Sequence, residues 1–175
     1  IIALAAVSFQ LLLIRAQRSG WYGRNPGFDD DHAVSVWISK KIPPDRRILN
    51  DLSFSGFYLL GYSYKSVVFS YFYIPGFSPP EFVEAKKVWL EPSNQSLVME
   101  LLLRLNISYV FTTSESGYYD RTYFGGDGKY RTKPIPPSEY IRIFDSYPFL
   151  KKVFQRGNSA VYTVNTILLR QLVKR

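Results

Sequence analysis

The sequence predicts an α/β fold, with a small mixed sheet of about five strands, flanking helices and a C-terminal β-hairpin, preceded by the end of a transmembrane helix. Three observations predict it. Short segments rich in β-branched and aromatic residues alternate with segments that carry a helical apolar stripe. Gly157-Asn158 separates two strand-like segments, and an uncharged apolar segment opens the chain. At 175 residues there is room for one ordinary domain with a tail.

The opening segment, Ile1–Ile14, reads IIALAAVSFQLLLI and carries no charge. A helix of this length rises about 21 Å, less than the roughly 30 Å hydrocarbon core of a bilayer, so we interpret it as the last part of a transmembrane helix. Arg15, Arg18, Trp21 and Tyr22 follow it, as in a membrane-interface belt. A buried core helix of a soluble protein is the alternative. The two arginines resemble the positive-inside signal. That rule weakens for long translocated domains, so it does not decide on which side of the membrane the domain lies.

The chain is therefore predicted to have four parts. Residues 1–18 are the end of the transmembrane helix, 19–28 a linker rich in Gly and Pro, 29–165 a soluble α/β domain, and 166–175 a basic amphipathic tail. The tail is predicted to be a helix that either lies on a membrane surface or packs on the domain.

In the first half of the domain, the sequence predicts a helix, a strand, a second helix and a second strand, in this order. The aspartates Asp29–Asp31 suit the positive end of a helix dipole, one of them can cap free N–H groups, and Pro43-Pro44 ends the helix. The strand, short helix and strand that follow are Arg47–Asp51, Ser53–Gly61 and Lys65–Tyr71. This order implies parallel pairing of the two strands through a right-handed crossover.

The second half predicts a further helix and three further strands. We expect Tyr73–Pro92 to be irregular because it is rich in proline, and Ser93 to cap a helix with Leu97, Leu101 and Leu105 on one face. The remaining segments are a strand at Ile107–Thr113, a long loop at Ser114–Pro137, and hairpin strands at Lys151–Arg156 and Ser159–Val164. Gly157 at the first central position of the turn predicts type II′.

Composition excludes several classes of site. The chain has no Cys and one His, His32, which excludes disulfide scaffolds, cysteine zinc sites, thiol nucleophiles and any scheme that needs two imidazoles. We therefore predict no catalytic residues and no metal site in this chain. Aromatic residues make up 17% of the sequence, which predicts either a dense core or an aromatic binding surface.

The net charge of +8 is concentrated at the two ends of the chain. All 14 acidic residues lie between Asp29 and Asp145, whereas nine of the 22 lysines and arginines lie outside that range. The body is thus nearly neutral, which suits a domain whose termini lie near anionic lipid headgroups. A nucleic-acid binder would carry its positive charge on one face of the body, so no nucleic-acid partner is expected.

The order of these segments resembles the C-terminal extracytoplasmic domain of archaeal and bacterial polytopic glycosyltransferases of the GT-C class. The resemblance lies in AVSVWISKKIPPDRRILNDLSFSGFYLLGYSYKSVVF, LLLRLNISYVF and FDSYPFLKKVFQRGNSAVYTV, which together span roughly Ala33 to Val164. In that family a helix and proline lead into a strand, an Asp and a short helix. A Leu-rich helix with an I-x-Y-V strand and a closing hairpin come later.

The resemblance implies partners and a location. It implies sugar transfer from a polyprenyl-phosphate donor to a glycan or lipid acceptor, on the extracytoplasmic side of the cell membrane. It also implies that catalysis depends on an acidic motif among membrane helices missing from this chain, where a divalent metal can be bound; no cofactor is expected in the chain itself. The WWDxG motif of oligosaccharyltransferases is absent, so peptide glycosylation is not implied. One Met and no Cys are typical of proteins from hot habitats.

The segment GYYDRTYFGGDGKYR is the candidate substrate-binding site. Aromatic faces stack on sugar rings, and flanking carboxylates and guanidinium groups bond hydroxyls or a phosphate. The candidate residues are Tyr118, Tyr119, Asp120, Arg121, Tyr123 and Tyr130. The alternative is an aromatic loop that packs on its own domain or on the missing helices.

Five other candidate sites, four single residues and one triplet, are each compared with a simpler structural interpretation. Asn94 and Asn106 begin N-x-S sequons, and Asn94 is the candidate N-glycosylation acceptor because Asn106 lies tightly between helix and strand. Asp51 ends a strand where α/β folds place ligand groups, although capping of the next helix is the favoured interpretation. His32 is expected to be an exposed residue at the second position of a helix. Asp29–Asp31 contain a D-x-D pattern that can hold a divalent metal, but capping is favoured.

Two other functions stay open. A non-enzymatic, membrane-anchored saccharide-binding or sensor module would use the same aromatic segment. A soluble basic α/β domain that binds RNA is the third hypothesis.

Overall fold

The computed structural model describes residues 28–50, 66–69, 80–114, 116 and 135–173. These residues form α1 (Phe28–Lys41), β1 (Arg47–Asn50), β2 (Ser66–Phe69), α2 (Pro80–Leu90), α3 (Gln95–Arg104), β3 (Tyr109–Thr112), α4 (Pro137–Asp145), β4 (Leu150–Arg156), β5 (Ser159–Val164) and α5 (Thr166–Val173). The predicted α/β class, with its mixed sheet and C-terminal hairpin, is confirmed. The predicted transmembrane segment and the predicted helix at Ser53–Gly61 lie outside the described residues.

The strands form one mixed sheet in the order β2-β1-β3-β5-β4. β1 pairs in parallel with both β2 and β3, whereas β5 pairs antiparallel with β3 and β4. The parallel pairing predicted for the first two strands is therefore confirmed. Strand β2 lies on one side of β1 and β3 lies on the other. The chain therefore moves away from β1 in one direction to form β2 and later crosses to the opposite side to form β3. The carboxyl end of β1 is the point where the strand order reverses direction.

Helices cover both faces of the sheet, because successive residues of a strand point to opposite faces. Leu49 and Val110 belong to a larger apolar cluster that they share with residues of α2, α3, α4 and α5. Ile48 and Phe111 belong to a smaller cluster with Val34, Ile38 and Ile42, which α1 and the turn after it supply. The core is thus split into two layers by the sheet.

Aromatic rings fill the larger cluster. Trp89 of α2 lies 5.8 Å from the rings of both Tyr140 and Phe144, and Phe144 meets Tyr162 of β5 edge to face at 5.9 Å. The Tyr140 hydroxyl donates to the Trp89 carbonyl at 2.7 Å. Within the described residues, the high aromatic content therefore serves a dense core, which is one of the two predicted uses.

Burial has a chemical consequence for the tyrosines of this core. Desolvation, followed by the charge and hydrogen bond of Asp145, raises the pKa of the Tyr162 phenol far above its usual value. Burial also raises the pKa of Tyr147, whose hydroxyl donates to the Pro92 carbonyl at 2.5 Å. Both phenols therefore stay neutral to a higher pH than an exposed tyrosine does.

Two helices differ from the sequence-based expectation. The prediction that Tyr73–Pro92 is irregular was wrong for Pro80–Leu90, which is α2; Pro80 stands at the first helical position, where proline is tolerated, and Ala85, Val88 and Trp89 are buried. Helix α4 was not predicted. Its apolar stripe is strong, with Tyr140, Ile141, Ile143 and Phe144 buried.

Helix α3 is bounded by asparagines at both ends. The cap is Asn94 rather than the predicted Ser93, and its side chain accepts from the Leu97 N–H at 3.2 Å. Beyond the other end, Asn106 has a φ of 51°. Its N–H bonds the Leu103 carbonyl and that of Ile107 bonds the Leu102 carbonyl, which is a Schellman motif.

The C-terminal hairpin and helix follow the prediction. Arg156 pairs with Ser159 across a Gly157-Asn158 turn, and Gly157 has a φ of 52°, as the first central residue of a type II′ turn requires. The tail forms a helix over Thr166–Val173, and this helix contacts the domain through Leu169, which is fully buried in the larger cluster.

Candidate functional site

The buried polar residues of the described part of the chain lie together near one edge of the sheet. They are Asp31, Ser35, Asn50, Thr112, Thr113, Ser116 and Ser159. We call these seven the polar edge. They come from α1, the carboxyl end of β1, the last residue of β3 and the residues just after it, and the start of β5. Strand β5 runs antiparallel to β3 and therefore begins at the same edge.

The polar edge coincides with the point where the connections from β1 diverge. In open α/β sheets, ligands bind outside the carboxyl ends of the strands at such a topological switch point. Asn50 is the last residue of β1, and β2 and β3 lie on its two sides. This placement makes the polar edge the candidate functional site.

Asp31 is the centre of the hydrogen-bond network at this edge. Its carboxylate is 1% exposed and accepts from the Ser114 N–H at 2.8 Å, from the Ser114 hydroxyl at 2.7 Å, and from the Ser159 hydroxyl. These bonds tie the first half of α1 to the end of β3 and the start of β5. The capping hypothesis did not include this role, which depends on residues more than 80 positions away in the sequence.

The neighbouring aspartates have different surroundings. Asp29 is exposed, and Asp30 accepts from Arg156 Nε at 3.1 Å at the tip of the hairpin. The Asp30 carboxylate lies so close to the turn that a Cβ on Gly157 would come 2.0 Å from Asp30 Oδ2. Three carboxylates therefore occupy the positive end of the α1 dipole, so this helix end is unsuited to a phosphate.

Most other members of the polar edge are hydrogen-bonded within it. Ser35 donates to the Asp31 carbonyl at 2.9 Å, the Thr113 N–H donates to Ser116 Oγ at 2.7 Å, and Thr112 Oγ1 bonds both backbone groups of Ala160. Such a satisfied network fixes the geometry of an edge that apolar contacts alone would leave adjustable.

Asn50 is the exception. Its Nδ2 donates to the Phe111 carbonyl at 3.0 Å, which fixes the orientation of the amide, while its buried Oδ1 has no hydrogen-bond partner. In the described residues the other such side-chain atom is Trp89 Nε1, which belongs to the larger apolar cluster. An unpaired buried acceptor costs about 1–3 kcal/mol, so its presence at the switch point calls for a reason.

The sequence-predicted site residues have mixed outcomes. The aromatic candidates Tyr118, Tyr119, Asp120, Arg121, Tyr123 and Tyr130 lie outside the described residues, as does Asp51. Asn94 is exposed, but its amide is engaged in the cap and donates to Glu91 Oε2 at 3.2 Å. Asn106 is exposed as well, in a constrained left-handed backbone.

His32 differs from the expectation. It is half-buried in the second turn of α1 rather than exposed at the second helical position, because the helix begins at Phe28, before the aspartates. Among the residues that the structure describes, no cluster of three His, Asp or Glu side chains is arranged to hold a metal ion.

The comparisons with known proteins assign no family. No family model, no curated protein and no solved structure matches the chain. None of the helices within 28–50, 80–114 and 135–173 is long and apolar enough to cross a bilayer.

Sequence reasoning missed Asn50, Thr112, Thr113 and Ser159 as site residues. A weak signal was present, because RILN and YVFTT are apolar strands that close on polar residues. Polar residues also end many strands that bind nothing, and only the sheet order brings these two strand ends side by side.

Proposed function

We propose that the chain is the extracytoplasmic C-terminal domain of a membrane glycosyltransferase that uses a polyprenyl-phosphate-linked sugar donor. Residues 1–18 end the last transmembrane helix, and the donor site and catalytic groups belong to a membrane part that precedes them. The domain is non-catalytic alone. It covers the active site or helps to bind the glycan or lipid acceptor, and its basic termini lie near membrane lipid.

The observation that carries the proposal is the concentration of buried polar residues at the switch point of the sheet. The segment with the candidate residues Tyr118 to Tyr130 follows β3 in sequence and so starts from this edge. Ligand-binding groups of α/β domains gather at that position. The apolar segment Ile1–Ile14 and the resemblance of the segment order supply the membrane and glycosyl-transfer parts of the proposal.

The division of labour is tested by sugar transfer from a lipid-linked donor. The chain in detergent should show no turnover, and the whole gene product should show it. Measurable turnover by the chain alone would refute the proposal. The sequence upstream of Ile1 separates the rival: many apolar helices with an acidic first external loop favour the transferase, whereas a single helix favours a saccharide-binding or sensor module.

The acceptor role is tested in the whole protein with Tyr118→Ala plus Tyr123→Ala. We expect a higher KM for the acceptor, a nearly unchanged kcat and an unchanged melting temperature. The matched control is Val153→Ala, which truncates an apolar side chain 38% exposed on β4 and should change neither constant. A large loss of thermal stability in the tyrosine variant would show that the two rings belong to a core.

The location is tested by cysteine labelling, since these 175 residues contain no Cys that would compete with an introduced thiol. Lys151→Cys places a thiol on an exposed position of β4, and Ala160→Cys places one at a fully buried position of β5. In intact cells a membrane-impermeant maleimide should label the first variant and spare the second. Labelling of Lys151→Cys only after the membrane is opened would place the domain inside the cell.

A further inference from the structure

Helix α5 has a packed side and an exposed side. Leu169 is fully buried in the larger cluster, and Leu168 and Leu172 pack against that cluster. The residues on the other side, which we call the outer face of α5, are all exposed: Ile167, Arg170, Gln171 and Val173. Three large apolar side chains are exposed within the described part of the chain, and two of them, Ile167 at 73% and Val173 at 48%, belong to this face. They are apolar surface that the domain does not bury.

The charge around the outer face is positive. Helix α5 contains Arg170 and no acidic residue, and Lys174 and Arg175 follow it in the sequence. On α3, the helix that α5 packs against, the one acidic residue is Glu100, and its carboxylate lies 3.7 Å from the guanidinium group of Arg104. The outer face therefore combines exposed apolar side chains with positive charge.

An anionic lipid surface matches this combination. Amphipathic helices in the membrane interface bury apolar side chains at the start of the acyl region, while their Lys and Arg side chains meet the headgroups. A nucleic acid would meet the charge of Arg170 but leave Ile167 in water. A second copy of α5, paired about a two-fold axis, would bring equal positive charges together. Independently, the opening segment Ile1–Ile14 is predicted to be part of a transmembrane helix.

We infer that the outer face of α5 lies on the membrane surface, with Ile167 and Val173 in the interfacial region and Arg170 at anionic headgroups. The inference rests on the proposed function, because it needs a domain that is held at a membrane, and it deepens that function by naming the surface that meets the lipid. It does not depend on sugar transfer. The two alternatives for the tail are thereby combined, since one side of α5 packs on the domain and the other lies on lipid.

The fold allows this contact together with an anchor at the other end of the chain. Helix α1 begins near the polar edge, where Asp31 bonds Ser159, whereas α5 follows the end of β5 and so begins at the opposite edge of the sheet. The six residues of β5 separate the two edges by about 20 Å. Residues 19–27 can span up to about 30 Å when extended. A chain anchored by residues 1–18 can therefore place α5 on the bilayer.

The experiment measures lipid contact at single positions of the full chain in vesicles. Gln171→Cys carries an environment-sensitive fluorophore on the outer face, and nitroxide-labelled phosphatidylcholine quenches the fluorophore on contact. The sequence has no other Cys, so the label is specific. One set of vesicles is phosphatidylcholine alone, and the other also contains about 30% phosphatidylglycerol. Lys40→Cys is the reference position, because Lys40 is exposed on α1, the helix that covers the opposite face of the sheet.

We expect quenching at position 171 in the anionic vesicles, weaker quenching in pure phosphatidylcholine or at high salt, and none at position 40. Ile167→Gln should lower the ratio of lipid-contacting to free α5 by about tenfold, because it removes a large apolar side chain from the interface. Arg170→Gln should lower that ratio by about fivefold, in the anionic vesicles alone. Val153→Gln makes the same kind of change at an apolar residue 38% exposed on β4, and as the matched control it should leave the ratio unchanged. Both α5 variants should melt within about 2 °C of the natural chain, because they replace exposed side chains.

The contrary outcomes separate this inference from the proposed function. A chain that floats with the vesicles but shows no quenching at position 171, or equal quenching at positions 171 and 40, overturns the inference and leaves the proposed function intact. Quenching that is equal in both sets of vesicles, or that survives Ile167→Gln, overturns the assignment of the outer face to an anionic surface. A blue-shifted emission that grows with the protein-to-lipid ratio and is not quenched shows a second copy on this face and also overturns it. A chain that floats with neither set of vesicles overturns the membrane anchor of the proposed function as well.

Discussion

Removing the Asp31 carboxylate should destabilise the domain strongly, because a hydrogen-bond network depends on it. Three donors converge on it, namely the Ser114 N–H, the Ser114 hydroxyl and the Ser159 hydroxyl. In Asp31→Ala all three lose their acceptor, and the Ser159 hydroxyl loses it at a fully buried position, whereas Ser114 is partly exposed. The variant therefore tests whether this network holds α1 on the sheet.

The magnitude follows from the number and kind of bonds. A hydrogen bond to a charged group contributes about 1.5–3 kcal/mol, but bonds that share one carboxylate are not additive. We expect Asp31→Ala to cost about 3–5 kcal/mol, less than the sum of three such bonds, because the change also removes the cost of burying the carboxylate charge. For a domain of this size that lowers the melting temperature by roughly 10–15 °C. Asp31→Asn, which keeps one acceptor oxygen, should cost about half as much.

The assay is thermal unfolding of the full chain in non-ionic detergent, followed by circular dichroism. Asp29→Ala is the matched control, because it removes an exposed carboxylate from the same turn and should cost only about 0.3–1 kcal/mol through the helix dipole. Combining Asp31→Ala with Ser159→Ala should cost less than the sum of the two single changes, since both remove the same bond. A melting temperature for Asp31→Ala within about 2 °C of that for Asp29→Ala would refute the reasoning.

Three further predictions concern the hairpin, the α3 cap and the buried phenols. Gly157→Ala should destabilise the domain by roughly 1–3 kcal/mol, because its φ is 52° and the new Cβ would clash with the Asp30 carboxylate. In a double-mutant cycle, Asp30→Ala should remove the part of this cost that comes from the clash. Additive costs of the two changes would contradict the contact. Asn94→Ala should cost about 1 kcal/mol of stability, whereas Asn94→Asp should cost almost nothing, because aspartate keeps the helix cap. Both changes abolish the sequon, so a difference between them reports the cap alone. Equal losses in thermal unfolding would argue against the cap. Above about pH 10 the stability of the domain should fall with rising pH, because the unfolded chain releases the Tyr162 proton at a lower pH than the native protein does. Tyr162→Phe should flatten that fall, and Asp145→Asn should flatten it in part. An unchanged dependence of stability on alkaline pH, measured by urea unfolding, would contradict the burial argument.

The elements predicted correctly are those whose pattern is local. β1, β2, β3 and the hairpin strands were found because short β-branched segments lie between turn residues, and the Gly157-Asn158 turn was read from its glycine. α2 was misread because prolines at and before its start resemble those of an irregular segment. The missed α4 shows the same limit, since its first turn also follows prolines at positions 134, 136 and 137.

The candidate site was mostly beyond the reach of sequence reasoning. Asp31 was given a local role because the partners of its carboxylate, Ser114 and Ser159, lie 83 and 128 positions away. Asn50 carried no pattern that distinguishes it from any other polar residue at the end of a strand. The predicted aromatic residues Tyr118 to Tyr130 lie outside the described residues, so their role stays a prediction.

By itself, the sequence determined the class of the fold, the parallel start and antiparallel end of the sheet, and the absence of thiol chemistry, since these depend on periodicity, turn residues and composition. Tertiary structure alone decided that the buried polar groups share one edge and that one amide oxygen there is unpaired. The physical reason is that hydrogen bonds act over about 3 Å in space. Which distant residues come within that range depends on the order and register of the strands, and no local pattern encodes it.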